Sequence, residues 1–417
     1  MTITVFGLGF VGLTTALGLS SKGHKVYGID IDQTRCAKIA DGMLPFLEPG
    51  LDQVLGEELG IHFFLSDSPK DAVSESDCVF FCVGTPYGEN GQADLTYLFS
   101  AMDSALSGIS KKNHCVFVVK STIPPATLQK KVIPYLVSST TFYGDSLSIA
   151  NNPEFLREGH CWEDFMQPDR IVIGVTNQES ENILRAVYQG FDCPIVSVSP
   201  NTAEFIKYLS NTLLATMISY SNEMSLIADA IGGIDVAKAF QILHMDKRWG
   251  GCNMTSYVYP GCGYGGYCLP KDTNALLAQS KANGFNPPIL SHVIRTNDEM
   301  PQHMAERIMS KTTKEEQIAI LGLSFKPGSD DVRQSPAAPI LRHLQQYGYD
   351  KLVAYDPVAN KLFAKAYPDI HITYYDSLSE VLTGSNSAVI LTAWDEFKQL
   401  NSMDNISVID CRYMLTL

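Results

Sequence analysis

The chain has 417 residues, 45% of them hydrophobic and 18% charged. That length suits roughly two to three domains, and the apolar content is enough for a sizeable core, which argues against disorder. A formal net charge of −14 argues against a nucleic-acid backbone as partner, because no basic excess is present to displace counterions. An anionic small molecule stays compatible, since a helix N-terminus and a few basic side chains suffice to hold one.

The opening MTITVFGLGF lacks a basic leader and runs directly into a strand pattern. No apolar run reaches the ~18–20 residues of a membrane helix. Ten cysteines without a regular framework read as reduced thiols, so a cytoplasmic protein is expected. Cys78 and Cys82 are the closest pair, but no second pair or nearby histidine completes a metal site.

Residues 2–6 (TITVF) form a β-branched run, and GLGFVG follows, placing Gly7, Gly9 and Gly12 in GxGxxG spacing. An apolar helix runs on from Leu13, Gly23 ends it, and KVYGID forms a second strand closing on Asp30. The glycines allow a tight turn and close approach of a pyrophosphate to the helix N-terminus. An acid about 20 residues on binds ribose hydroxyls and repels a 2′-phosphate, so the pattern predicts NAD rather than NADP.

Alternating strands and helices continue this domain. CVFFCVGTP (78–86) and CVFVVKSTIPPAT (115–127) are buried strands ending in turns that carry Thr85 and Thr122. Ligands bind at such turns, although a hydroxyl that only caps the next helix explains each equally well. In NPEFLREG (152–159) two carboxylates and an arginine sit beside apolar residues: a polar site with a dry wall, or an acidic helix start. PDRIVIG and CPIVSV supply the last strands.

From Thr202 the pattern becomes one long, mostly apolar helix, a candidate spine between domains and a candidate dimer interface. Glu204, Lys207, Asn211 and Asn222 fall on one stripe of it. Polar groups there need partners or a ligand, so the stripe is either an active-site face or a satisfied polar seam. A helix at Val236–Leu243 then leads to PGCGYGGYCLPKD (260–272), where four glycines precede Cys268, Lys271 and Asp272. Dense glycines let backbone approach a ligand, and a thiolate near Lys271 is the reactive form. A tight turn beside an inert cysteine is the plainer account.

Residues 272–310 read as further helix, and EEQIAILGLSFKPGSDDVRQSP restarts an α/β pattern without GxGxxG spacing. Lys326 and Arg333 bracket its first turn, either facing phosphates or solvated beside Asp330 and Asp331. The expected fold class is α/β: two Rossmann-like domains joined by a long central helix and a helical dimerisation region. Boundaries are expected at 1–200, 201–300 and 301–417.

NAD alone implies hydride transfer. A cysteine nucleophile extends it, because a thiolate adds to an aldehyde and the adduct can lose a second hydride to give a hydrolysable thioester. A primary alcohol then becomes a carboxylate with two NAD. Lys207 and Asn211 suit the oxyanion, and Asp272 suits activation of water.

The collinear motifs GLGFVG with Asp30, EPGL, GTP, KSTIPPAT, NPEFLREG, AEFIKYLSN, GYGGYCLPKD and FKPGSDDVRQSP resemble the UDP-glucose/GDP-mannose dehydrogenase family over essentially the whole chain. The nearest branch is the short bacterial one acting on UDP-glucose. The resemblance implies Cys268 as nucleophile with Lys207, Asn211 and Asp272 around it, and Thr122 and Glu154 positioning water and the sugar C6 group. It implies that Glu154, Phe155, Leu156, Arg157 and Glu158 line sugar and cofactor. Tyr257 to Gly261, Gly265 and Lys326 would hold UDP-glucose. Val11, Asp30, Arg35, Thr85, Thr122, Glu158, Lys271 and Arg333 would hold NAD. Arg248 would reach the substrate of a partner subunit, implying a homodimer. Ala126 stands where the family commonly has Gly, Met217 where many members have Lys, and Trp249 in place of an aliphatic residue. The loop reads GGYC rather than the GGHC of the N-acetylhexosaminuronate-forming branch; the GDP-mannose branch is the nearer rival. A single-step hydroxyacid-type dehydrogenase and a non-catalytic nucleotide-sugar sensor are the alternatives from other classes.

Overall fold

The structure, a computed structural model, describes residues 1–86, 88, 92–110, 114–246, 257–403 and 406–415. It divides into two compact units, residues 1–209 and 210–417.

The first unit is built on eight strands: β1 (Thr2–Phe6), β2 (Lys25–Ile29), β3 (Phe63–Leu65), β4 (Cys78–Phe81), β5 (Cys115–Val119), β6 (Leu147–Asn151), β7 (Ile171–Gly174) and β8 (Ile195–Val198). They hydrogen-bond in the order β3-β2-β1-β4-β5-β6-β7-β8. All described pairings are parallel except β6 with β7. A parallel sheet is covered on both faces, so its strands read as continuous apolar runs. CVFF and CVFVV do so: successive residues feed opposite cores, Phe80 and Val118 into one, Val79, Phe81 and Phe117 into the other. Strand order reverses between β1 and β4, the switch point outside whose carboxyl ends such sheets bind ligands. The glycine turn and the Gly84-Thr85-Pro86 turn follow those two strands.

The central helix, Pro200–Ile231, carries the chain from the first unit into the second. There, β9 (Ile318–Leu321), β10 (Leu352–Tyr355), β11 (Thr373–Tyr374), β12 (Ser387–Ile390) and β13 (Ser407–Asp410) form a parallel sheet ordered β11-β10-β9-β12-β13. Ile318 and Ile320 enter one core, Ala319 and Leu321 the other. This is again a doubly covered α/β sheet, as the restarted pattern predicts.

The helix expected over 272–310 is two helices, Cys268–Ala282 and Pro288–Met309. Gly284 adopts φ +84°, which only glycine takes readily, and the extended Pro287 (ψ 110°) starts the second helix. The short strands β3 and β11 are additions to the expected set, too brief to show a period.

Within the glycine turn the three glycines have different reasons to be there. A Cβ on Gly12 would lie 1.6 Å from the Gly7 carbonyl oxygen, whereas one on Gly9 would meet nothing within 4 Å. Gly12→Ala is therefore expected to lower the free energy of urea unfolding by at least about 1–3 kcal/mol. Gly9→Ala should leave it within about 0.5 kcal/mol.

Candidate functional site

In the first unit, Gly7 turns the chain at φ +86° and the helix Phe10–Ser21 begins directly after Gly9. Val11 lies in its first turn, its carbonyl accepting from Thr15 Oγ1. Asp30, at the end of β2, accepts from Leu8 N at 2.6 Å and Asp32 N at 2.8 Å, and pairs with Arg35 at 2.7 Å. These bonds hold the carboxylate beside the turn. Together with the open space over Gly9, this fits the ribose and pyrophosphate of a dinucleotide. Thr85 Oγ1 donates to the Thr122 carbonyl at 2.8 Å, so the turns after β4 and β5 are tied together.

NPEFLREG does not start a helix; it is irregular, and the next helix begins at Cys161. Glu154 is buried and accepts from Lys207 Nζ at 2.8 Å and from Leu156 N at 2.7 Å. Burial opposes its charge, but the lysine and that N–H outweigh it and hold the carboxyl below its usual range. Phe155 packs under the Arg170 guanidinium, 4.2 Å from the ring centroid, with Lys207 Nζ at 5.7 Å. Arg157 is turned outward into a pair with Asp164 at 2.6 Å. Glu158, next to it, is half-buried.

In the second unit, Cys268 is the first residue of the helix Cys268–Ala282 and is exposed. A helix N-terminus favours a thiolate. Asp272, fully buried, lies one turn on and accepts from Asn211 Nδ2 at 2.6 Å and Lys271 Nζ at 2.5 Å. Burial disfavours the Lys271 ammonium, yet attraction to Asp272 and to the Cys268 sulfur raises its pKa. The loop before the cysteine is pressed against neighbouring chain. A Cβ at Gly265 would sit 2.3 Å from the Gln334 carbonyl oxygen, and Gly266 N donates to Arg333 O at 3.0 Å. Arg333 stacks 4.6 Å over Tyr267 and pairs with Asp331, its side chain remaining half exposed. Lys326 lies over Phe325 at 5.6 Å. Tyr257 is described at the edge of a gap; Arg248 and Trp249 lie outside the described residues.

Three residues meet this loop, two of which, Asn297 and Arg412, were not singled out by the sequence. Asn222, expected only as part of the stripe, accepts from Gly261 N at 2.8 Å, and Asn297 accepts from Tyr264 N at 2.7 Å. Arg412 follows β13, with NH1 2.7 Å from where a Gly261 Cβ would lie and with its buried Nε lacking a hydrogen-bond partner among the described residues. Its place after a strand's carboxyl end was the available signal. In the first unit Lys120 was likewise passed over. It is fully enclosed, donates to Asn152 at 2.8 Å, and burial lowers its pKa to about 8.

Breaking the Glu154–Lys207 pair tests the site's electrostatics. Glu154→Gln strands a buried ammonium and should cost on the order of 3 kcal/mol. The folded state lowers the Glu154 pKa from 4.5, so the pair's stabilisation is present above that value and lost as pH falls through the lowered one. Urea unfolding should show the wild-type advantage over the variant at about pH 7, shrinking below about pH 4.5.

Comparison with known proteins agrees with this geometry. The NAD binding domain of the UDP-glucose/GDP-mannose dehydrogenase family matches residues 1–192, its central domain residues 201–299 and its UDP binding domain residues 319–416. The UDP-glucose 6-dehydrogenase of Rickettsia bellii is 38% identical, covering 100% of this chain and 95% of that protein. The UDP-glucose 6-dehydrogenase TuaD of Bacillus subtilis is 35% identical over 95% of this chain and 85% of its own length. A UDP-glucose dehydrogenase structure from the archaeon Pyrobaculum islandicum superposes with a TM-score of 0.90 at 35% identity, covering 99% of this chain and 94% of that one. The chain belongs to the UDP-glucose/GDP-mannose dehydrogenase family and is an NAD-dependent oxidoreductase of UDP-sugars.

Proposed function

We propose that the chain oxidises the C6 alcohol of UDP-glucose to the carboxylate, giving UDP-glucuronate in two successive hydride transfers at one site. The observation that carries this reading is the exposed Cys268 at a helix N-terminus, one turn from the buried Asp272 held by Lys271 and Asn211. A single-step dehydrogenase has no use for that arrangement. NAD, when bound at the glycine turn beside Asp30, takes up the hydrides.

The chain's own residues do the rest. The alcohol loses a hydride and a proton to become an aldehyde, and the Cys268 thiolate adds to its carbonyl carbon, forming a C–S bond. Lys207 and Asn211 stabilise the oxyanion of this thiohemiacetal. Loss of a second hydride leaves a thioester. Water, oriented by Thr122 and Glu154 and deprotonated with the help of Asp272, attacks it and breaks the C–S bond, releasing carboxylate and thiolate. Phe155, Leu156 and Arg157 line the sugar. Glu158, Thr85, Arg35 and Arg333 complete the cofactor's surroundings with Lys271. For the UDP part we assign Tyr257, Gly261 and Gly265 to the nucleotide, and Lys326 with the unpartnered Arg412 Nε to the diphosphate. Uridine over guanosine is favoured by full-length relatives named UDP-glucose 6-dehydrogenase at 33–38% identity.

We also propose a homodimer formed through the central helix. Phe205, Leu209, Leu213, Tyr220, Ile227 and Ile231 recur at steps of four and seven along it, each between 45% and 69% exposed. A continuous apolar face in water marks a partner surface, and a second copy supplies a matching one.

Absorbance of NADH formed from limiting UDP-glucose should give about two NADH per sugar; one NADH per sugar would place the chain in the single-step class. Cys268→Ser should abolish the second oxidation, and a variant still delivering carboxylate would remove the covalent step. Sedimentation of the wild type should give a two-chain mass that Leu213→Asp reduces to one. A wild-type monomer at micromolar concentration would refute the dimer.

A further inference from the structure

Glu204 stands on the same helical stripe as Lys207 and Asn211, yet none of the chemistry above uses it. It is 2% exposed and makes no ion pair among the described residues: its Oε1 accepts from Leu128 N at 2.8 Å, and Oε2 makes no hydrogen bond there. The N–H groups of Ala126 and Thr127 also favour its charged form. One backbone donor, Leu128 N, is thus bonded to the carboxylate at the start of the helical stretch Leu128–Ser139, while Thr127 N donates to Pro124 O at 3.1 Å within the turn itself.

The segment just before that stretch is strained and stiff. Ala126 adopts φ +68°, a left-handed conformation that is strained for a non-glycine residue. Pro124 and Pro125 fix their own φ, and Thr127 Oγ1 donates to Pro124 O at 2.5 Å. At the far end stands Thr122, its carbonyl held by Thr85. Between these two anchors little freedom remains. We propose that Glu204 is a positioning residue: by capping the Leu128 amide from another helix it holds the strained turn at Ala126 closed and so sets the place of Thr122.

This rests on the role given to Thr122 above. The charge at Glu204 is retained at a cost to the fold. Burial raises its pKa to about 7, with the Leu128, Ala126 and Thr127 N–H groups acting in the opposite direction. The other charged groups near it are otherwise engaged: Lys207, on its own helix, is paired with Glu154, and Lys130 and Lys131, on the capped stretch, point to solvent. The folded state thus binds a proton more tightly than the unfolded chain does, so this carboxyl lowers stability as pH rises from 4.5 towards 7. A residue kept only for stability would not be an uncompensated buried acid. Its grip on the Leu128 amide is strongest when ionised, above about pH 7.

The test is Glu204→Gln in the full-length protein, read by kinetics with UDP-glucose and NAD, by urea unfolding and by amide hydrogen exchange. A misplacement of ~1 Å costs up to ~10²-fold in rate. Accordingly kcat at about pH 8 should fall about tenfold or more while the KM for UDP-glucose stays within about threefold. The wild-type advantage in kcat should shrink as pH falls below about 7. Exchange should quicken at residues 126–128, and unfolding stability at about pH 8 should equal or exceed that of the wild type. Adding Ala126→Gly, which removes the left-handed strain, should restore part of the lost kcat. A kcat within twofold of wild type overturns the proposal. So does a loss of kcat matched by a general loss of stability, which is what a merely structural role produces. If the wild type reduces no NAD with UDP-glucose, the functional reading falls instead, and unchanged exchange at 126–128 still refutes the capping claim.

Discussion

Charge buried without water has to be answered by an opposite charge or by aimed dipoles, and most of the polar architecture follows from that constraint. In the first unit Lys207 is answered by Glu154. In the second, Asp272 is answered by Lys271 and Asn211 together. Each pair is expensive to desolvate, and a well-packed apolar pair of equal volume would often be as stable. What the ionic pairs supply is fixed direction. An ammonium held by a carboxylate on one side presents its remaining protons on another, which is what stabilising a developing oxyanion requires.

The glycine-rich segments answer a different constraint, the distance of backbone from backbone. Gly12 is required by the Gly7 carbonyl and Gly265 by the Gln334 carbonyl, so both belong to packing. Gly261 faces the Arg412 guanidinium, the end of a side chain that can shift, in a contact that brings a cation against a backbone N–H already oriented by Asn222. Gly9 alone of these meets no described atom within 4 Å, so packing does not require its missing side chain. The same letter in the sequence thus records two kinds of requirement, and only the third dimension separates them.

Much of the fold was legible because it rests on local periodicity. TITVF, CVFF, CVFVV and LVAY are apolar runs of strand length between turn residues, and each became a parallel strand. The helix break at 283–287 was less legible: Gly284 and Pro287 were there to be read, but the apolar pattern continues across them. The candidate site was legible as a list of residues, since Gly7, Asp30, Cys268 and Asp272 stand in recognisable motifs. Its wiring was not. Nothing in the spacing of Glu204, Lys207, Asn211 and Asn222 says that four residues of one stripe answer to four different partners: a helix start, a carboxylate, a second carboxylate and a loop amide. Those partners are distant in sequence, and the choice among them is made by packing.

The cysteines show how packing separates one exposed thiol from most of the others, the buried Cys262–Cys411 pair aside. Burial pushes the Cys78, Cys82, Cys115, Cys161 and Cys193 thiols upward, Cys82 to about 12, so at neutral pH they are small apolar side chains and poor nucleophiles. Cys268 differs in every respect that matters to a thiolate: it is exposed, it begins a helix, and the Lys271 ammonium three residues on is attracted to its sulfur. An aldehyde generated beside several equally reactive thiols would be partitioned among unproductive adducts. Thiols raised in this way compete poorly with an exposed one for an electrophile.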